Sequence, residues 1–199
     1  MDTLSCKNEF INLFTSQITR DGSDKLLEYL TNSDFFTAPA SAKFHMAEEG
    51  GLCQHSLNVY NRLVKLVKAD FGERYTDVYS DETLAIVGLL HDVCKVNFYA
   101  VELRNVKEEF GWVKKPFYKV EERFPYGHGE KSVFIISQYI KLSAEEAMAI
   151  NWHMGGFDDR VKGGSYSVSE AYCRYKLAVY AHVADLQATY LDEDRGSKL

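Results

Sequence analysis

Apolar residues recur along most of the chain at the spacing of an amphipathic helix, and only three prolines interrupt it. The pattern predicts short helices over residues 6–18 and 23–31 and a longer helix from Gly50-Gly51 to about residue 70. Further helices are predicted over 81–94, from His128 onward, from a capping box at Ser143 to His153, and over 168–191. No internal repeat or linker is visible. The sequence therefore predicts a single, mainly helical domain.

The segment 103–124 departs from the helical pattern. Val106, Trp112 and Phe117 alternate with charged residues, and Gly111 and Pro116 lie inside the segment. This pattern is typical of a β-hairpin or an ordered flap. We expect it to cover the functional site and to contribute to substrate choice. A hairpin that packs its aromatic side chains on the core is the alternative.

Composition and charge narrow the class of protein. Hydrophobic residues make up 46% of the 199 residues and charged residues 26%, as in soluble globular proteins. No run of about 18 apolar residues and no secretory signal is visible, so we expect a cytoplasmic protein without a membrane partner. The net charge of −6 argues against duplex nucleic acid as a partner. Oligomeric state stays open.

Histidine and aspartate residues at five separate places supply the candidate chemistry. His91 and Asp92 end an apolar run over residues 85–90, and Asp185 lies among apolar residues of a predicted helix. Burial of such groups costs several kcal/mol unless they are paired or bound to a metal. Imidazole and carboxylate are ligands that divalent transition metals favour. For each residue a structural role is the alternative: His55 as a core histidine, Asp185 in an ion pair.

The order of these residues resembles a known family. The pattern His … His-Asp … His … His … Asp resembles the HD superfamily of metal-dependent phosphohydrolases. The segments that carry the likeness are residues 50–56, 89–95, 127–130 and 152–153, and the resemblance spans roughly residues 40–190. Within the superfamily, the chain is similar to the HD domains found with bacterial 3′–5′ exoribonucleases and to stand-alone HD hydrolases. The resemblance implies an HD-type helical bundle over 41–191, with residues 1–40 as an N-terminal helical extension.

The resemblance also implies a set of metal ligands. One or two divalent ions (Mn, Fe, Ni, Co, Zn or Mg) would be bound, and His128 and His153 favour two. A first ion would be held by His55, His91, Asp92 and Asp185. Asp92 would bridge to a second ion, completed by His128 and His153. A position in the flap or on the surface is the alternative for both of these histidines.

The activity implied is hydrolysis of a phosphate ester by a metal-activated water. The substrate would be a phosphorylated small molecule: a nucleotide or a short oligonucleotide. Asp92 and Lys95 are the catalytic candidates. Lys95 is included because a lysine three residues after Asp92 lies on the same side of a helix. The substrate-binding candidates are Lys43, His45, Lys95, Lys131 and His182. Two alternatives stay open: a di-iron oxygenase of the same fold, and a non-catalytic nucleotide-binding regulatory module.

Overall fold

The structure, a computed structural model, describes residues 2–193 of the chain. Two strands, β1 (Tyr99–Glu108) and β2 (Gly111–Val120), form one antiparallel hairpin. The prediction of a mainly α fold with one small hairpin is confirmed. The α-helices of the described residues are α1 (Thr3–Gln17), α2 (Ser23–Asn32), α3 (Gly51–Phe71), α4 (Asp81–Leu90), α5 (His128–Ser137), α6 (Ala144–Asn151), α7 (Asp159–Lys162), α8 (Ser167–Arg174) and α9 (Lys176–Gln187).

Helix α3 lies at the centre of the bundle and packs against α1, α4 and α9, while α6 packs against α5 and α9. Gly88 of α4 lets α3 approach closely, because a Cβ at this position would lie 2.6 Å from the Cα of Tyr60. Phe10 and Phe14 of α1 are buried in the same core as Leu63 of α3. This packing brings the C-terminal end of α4 to the N-terminal half of α3.

The hairpin begins and ends about four residues earlier than predicted. Its register pairs Tyr99 with Val120 and Glu108 with Gly111, and residues 121–127 are irregular instead of extended. The base is anchored, since the Tyr99 hydroxyl donates to the carbonyl of Ala40 at 3.2 Å. Trp112 is 70% exposed near the far end. At about 3.3 Å per residue, it lies roughly 26 Å along β2 from Val120.

The single long helix predicted over 168–191 is wrong. The chain forms α8, leaves helical geometry at Tyr175 (φ −120°, ψ 92°), and continues as α9. A π-helical turn, Ala188–Asp192, then follows α9. No glycine or proline marks the break. Tertiary contact accounts for it: Tyr175 packs against the core, and the backbone N–H of Leu177 donates to Glu145 at 3.3 Å.

None of the helices within residues 2–193 combines the length and the hydropathy that a membrane span requires.

Candidate metal centre

The structure brings together all six side chains that the sequence suggested as ligands. They come from one turn into α3, the end of α4, the start of α5, the turn after α6, and α9. Three of the imidazoles and one carboxylate are almost fully buried, at 1–2% exposure, whereas the side chains of Asp185 and His128 are 17% and 29% exposed. The six residues are His55, His91, Asp92, His128, His153 and Asp185. Whether they bind metal stays a prediction.

Asp92 lies at the middle of this cluster, and its two carboxylate oxygens face different histidines. Oδ2 lies 3.5 Å from Nε2 of His55 and 3.5 Å from Nε2 of His91. Oδ1 lies 2.7 Å from Nε2 of His128 and 3.5 Å from Nε2 of His153. The carboxylate therefore divides the cluster into two halves.

The first half is completed by Asp185. Its Oδ1 lies 3.3 Å from Nε2 of His55, and that nitrogen lies 3.2 Å from Nε2 of His91. Groups of three such ligand atoms, including His55–His91–Asp185 and His91–Asp92–His153, have all their atoms within 4.8 Å of one another. One small ion could contact every atom of such a group.

Hydrogen bonds on the far side of three imidazoles determine which nitrogen faces the cluster. Nδ1 of His91 donates to the carbonyl of Gly88 at 2.9 Å, and Nδ1 of His153 donates to the carbonyl of Ile150 at 2.6 Å. Because a carbonyl only accepts, the Nε2 lone pair of each neutral ring points inward. His55 is held in the same way, with Nδ1 2.8 Å from Oε1 of Glu193. Histidines that bind metals are commonly oriented by such contacts.

The pKa values of the clustered groups are shifted in opposite directions by burial and by their neighbours. Burial lowers the pKa of His91 to about 3, so this ring is neutral at pH 7. Burial also disfavours charge on His55, but hydrogen bonds to Asp185 and Glu193 raise its pKa to about 10. Burial raises the pKa of Asp92, yet Lys95 and the imidazoles lower it well below its ordinary value. Ionised carboxylates thus face imidazole nitrogens in a buried site.

A divalent ion fits this donor set. Nε2 of His153 is buried and has no hydrogen-bond partner within residues 2–193. Two inward-facing nitrogens, those of His55 and His91, lie only 3.2 Å apart, so they need a shared proton or a cation. Imidazole and carboxylate donors suit Zn, Mn, Fe, Co or Ni. The cluster is able to hold a divalent metal whose identity the donors leave open.

Two residues of the cluster were not anticipated from the sequence. Cys94 is buried, with Sγ 3.5 Å from both ring nitrogens of His128 and 3.9 Å from Oδ1 of Asp92. Its place two residues after Asp92 was the available signal. Glu193, which orients His55, follows Asp192 in an acidic stretch that resembles a solvated surface. Nothing in its local pattern distinguishes it.

Lysines line a cavity of about 230 Å³ beside His128. Nζ of Lys95 lies 2.6 Å from Oδ2 of Asp92, and its side chain is 12% exposed. Burial lowers the pKa of Lys95, but Asp92 raises it above its ordinary value, so the ammonium is charged at neutral pH. Lys131 lines the same cavity and pairs with Glu122 at 2.8 Å. Both lysines therefore border the cavity that His128 also lines, and their contact with substrate stays a prediction.

The remaining substrate-binding candidates lie elsewhere. The ring of His45 lies behind His55 at 5.0 Å, and Nε2 of His45 lies 4.0 Å from Oε2 of Glu193. Nδ1 of His182 donates to the backbone carbonyl of His153 at 2.7 Å, a contact that supports the turn carrying His153. Lys43 is exposed and forms no ion pair within residues 2–193. Their contact with substrate stays a prediction.

Comparison with known proteins yields one family. A family model described as "HD domain" matches residues 52–187, more than half of the chain. The match contains all six clustered residues. HD domains bind divalent metals, and the family consists mostly of metal-dependent hydrolases. No curated protein and no solved structure matches the chain with significance.

Proposed function

The chain belongs to the HD-domain family, and from this premise we propose that it is a binuclear, metal-dependent phosphohydrolase of a nucleotide or short oligonucleotide. Hydrolase activity of this general kind is typical of the family. Two finer statements are the proposal: that two ions are bound, and that the substrate carries a nucleoside.

One observation carries the binuclear proposal. The two oxygens of Asp92 face separate groups of nitrogens, Oδ2 toward His55 and His91 and Oδ1 toward His128 and His153. A carboxylate in this arrangement suits a bridge between two ions. Two-metal sites for phosphate chemistry hold their ions about 3.5–4 Å apart.

Bound divalent ions supply Lewis acidity, which activates water and offsets the charge of phosphate oxygens. The protein groups have complementary tasks. Asp92 and Asp185 stay ionised, because their pKa values lie below the ordinary range. The Lys95 ammonium lies on the cavity side of Asp92, where it can donate to a non-bridging phosphate oxygen. Lys95 would thereby orient the ester and stabilise the charge that develops on it.

The cavity beside His128 supports a nucleotide as the substrate. Its lining includes Phe98 and Tyr126, whose rings offer stacking surfaces, together with the ammonium groups of Lys95 and Lys131. Aromatic rings beside cations are the usual means by which proteins hold a base and its phosphates. The position of the cavity against a clustered histidine would put the phosphate next to the metals.

A screen tests this proposal. Nucleoside monophosphates, cyclic nucleotides, short oligonucleotides and p-nitrophenyl phosphate are offered with Mn²⁺, Ni²⁺, Co²⁺, Fe²⁺, Zn²⁺ or Mg²⁺. We expect hydrolysis that stops on chelation and returns with metal. Bound metal without turnover of any compound would favour a nucleotide-binding module. Oxygen consumption by the iron-loaded protein without phosphate release would favour the di-iron oxygenase.

A further inference from the structure

Lys131 is a buried lysine with unused hydrogen-bonding capacity. Its side chain is 7% exposed, and Nζ lies 5.1 Å from the ring centre of Phe98 and 5.9 Å from that of Phe124. An ammonium has three N–H donors. Within the described residues, Nζ donates to Glu122 alone, at 2.8 Å. Two donors therefore remain for a ligand.

Arg160 also lines this cavity, but its guanidinium has no unused donors. Arg160 donates twice to the Asp158 carboxylate with Nε and Nη2, and it also donates to Glu130, to the side chain of Asn151 and to the Asn151 carbonyl. Those five side-chain bonds use all five guanidinium donors. Arg160 is therefore a structural residue, whereas Lys131 is, besides Lys95, a cation of this cavity with donors to spare within the described residues.

The partner of Lys131 is a carboxylate on an irregular segment. Glu122 lies in residues 121–127, between β2 and α5, and its side chain is 29% exposed. A phosphate oxygen carries the same sign of charge and accepts the same kind of bond. An ion pair with a single carboxylate offsets only part of the desolvation free energy of a buried ammonium. Exchange of Glu122 for a phosphate group therefore preserves the charge pairing and engages the two unused donors.

The cavity connects this ammonium to the metal cluster. Lys131, Lys95 and His128 line the same space of about 230 Å³. We propose that Lys131 forms a second anion subsite, which binds a phosphate next to the one hydrolysed and which Glu122 occupies until substrate arrives. This inference rests on the proposed function. It narrows the substrate class to compounds with two neighbouring phosphates, such as nucleoside diphosphates.

Calorimetric binding of adenosine 5′-monophosphate and adenosine 5′-diphosphate to the full chain saturated with Mn²⁺ tests the subsite. The two probes share base and sugar, so their affinity ratio isolates the second phosphate. We expect the diphosphate to bind about tenfold more tightly, the size of one additional charge-assisted hydrogen bond. Lys131→Met should abolish this preference. Glu122→Gln should increase it several-fold, because the competing charge is removed. Glu121→Gln, which loses only an exposed pair with Arg123, should leave it unchanged.

Equal binding of the two probes by the wild-type chain would overturn the subsite. A diphosphate preference that survives Lys131→Met, or a Glu122→Gln variant with unchanged preference, would do the same. If Lys131→Met fails to fold, the Glu122→Gln result decides. Hydrolysis of p-nitrophenyl phosphate, measured on the same preparations, separates the two proposals. Turnover without diphosphate preference refutes the subsite alone, and the preference without turnover refutes the proposed activity alone.

Discussion

Two clusters of buried charged groups in this protein differ in how far the chain itself supplies partners for their polar atoms. In the first, Glu146 is 1% exposed and accepts two bonds from Arg20, at 2.8 and 2.9 Å. It also accepts from the Thr83 hydroxyl at 2.9 Å and from the Ser143 N–H at 2.7 Å. Glu82 completes the network through Arg20 at 3.2 Å. Every oxygen of Glu146 has partners within the chain.

In the second cluster, around Asp92, the chain supplies acceptors in excess. Within residues 2–193, Nε2 of His153 has no hydrogen-bond partner, and the Nε2 atoms of His55 and His91 face each other. The comparison separates two kinds of buried network. In the complete network, the chain itself supplies partners for both oxygens of Glu146. In the other, imidazole nitrogens remain that need a shared proton or a cation, and we call it the incomplete cluster. The first should stabilise the fold independently of metal, and the second should depend on it.

The largest effect is expected at the centre of the incomplete cluster. Asp92→Asn removes the charge that faces both halves and should lower the hydrolysis rate by at least about a thousandfold, equivalent to about 4 kcal/mol. Activity and metal content of the purified variant are the measurements. Glu82→Gln, in the complete network, is the control and should keep the rate of the folded protein. Full activity in Asp92→Asn would disprove the mechanism.

Removal of the cation from the complete network should instead reduce stability. Arg20→Met leaves Glu146 buried without its partner and should lower the free energy of unfolding by about 3 kcal/mol. Urea unfolding with and without a chelator measures this loss, which should be the same in both. Arg123→Met, in an exposed pair with Glu121, should change stability by less than about 1 kcal/mol. A loss at Arg20 that vanishes on chelation would break the distinction between the clusters.

A smaller effect is expected at Glu193, which orients the His55 ring of the incomplete cluster. Glu193→Gln removes the negative charge that faces Nδ1 of His55 and should lower metal affinity about tenfold. Competition with a fluorescent chelator measures the affinity. Asp192→Asn is the control: it changes the adjacent carboxylate, which pairs with Arg62, and should leave the metal affinity unaltered. Equal losses of metal affinity in both variants would show that the contact between Glu193 and His55 is not the cause.

The smallest effect concerns the pH dependence of the stability that Glu146 contributes. Burial raises the pKa of Glu146, but hydrogen bonds from Arg20 and Ser143 lower it below the ordinary 4.5. The folded chain therefore takes up this proton less readily than the unfolded chain. The stabilisation is present above about pH 4.5 and is lost as pH falls toward the folded pKa. The stability difference between wild type and Glu146→Gln, from urea unfolding, should shrink between about pH 7 and about pH 3.5. A constant difference would contradict this sign.

Much of this architecture could be predicted from local pattern. Apolar spacing predicted α3 and α4, and alternation with Gly111 and Pro116 predicted the hairpin. Tertiary contacts decided what the pattern missed. Tyr175 breaks a helix without any local signal, because its side chain packs on the core while Leu177 bonds Glu145. The strand bounds follow from anchoring at Tyr99.

The candidate site shows the same division. Asp92 and Asp185 stand out in the sequence as polar residues among apolar ones, whereas His55 could be named as a ligand only through the resemblance to the HD superfamily. Glu193 could not be named, since an acidic residue among acidic neighbours predicts a solvated surface, and only the fold turns it toward His55. The role of Glu122 likewise depends on where residues 121–127 run after the hairpin.

The most direct test of the incomplete cluster is an anomalous-difference map from crystals of the Mn²⁺-soaked protein. We predict two peaks, one on each side of the Asp92 carboxylate, the first within ligand distance of His55, His91 and Asp185, the second of His128 and His153. A map without a peak among these six residues, at saturating Mn²⁺, would contradict the account.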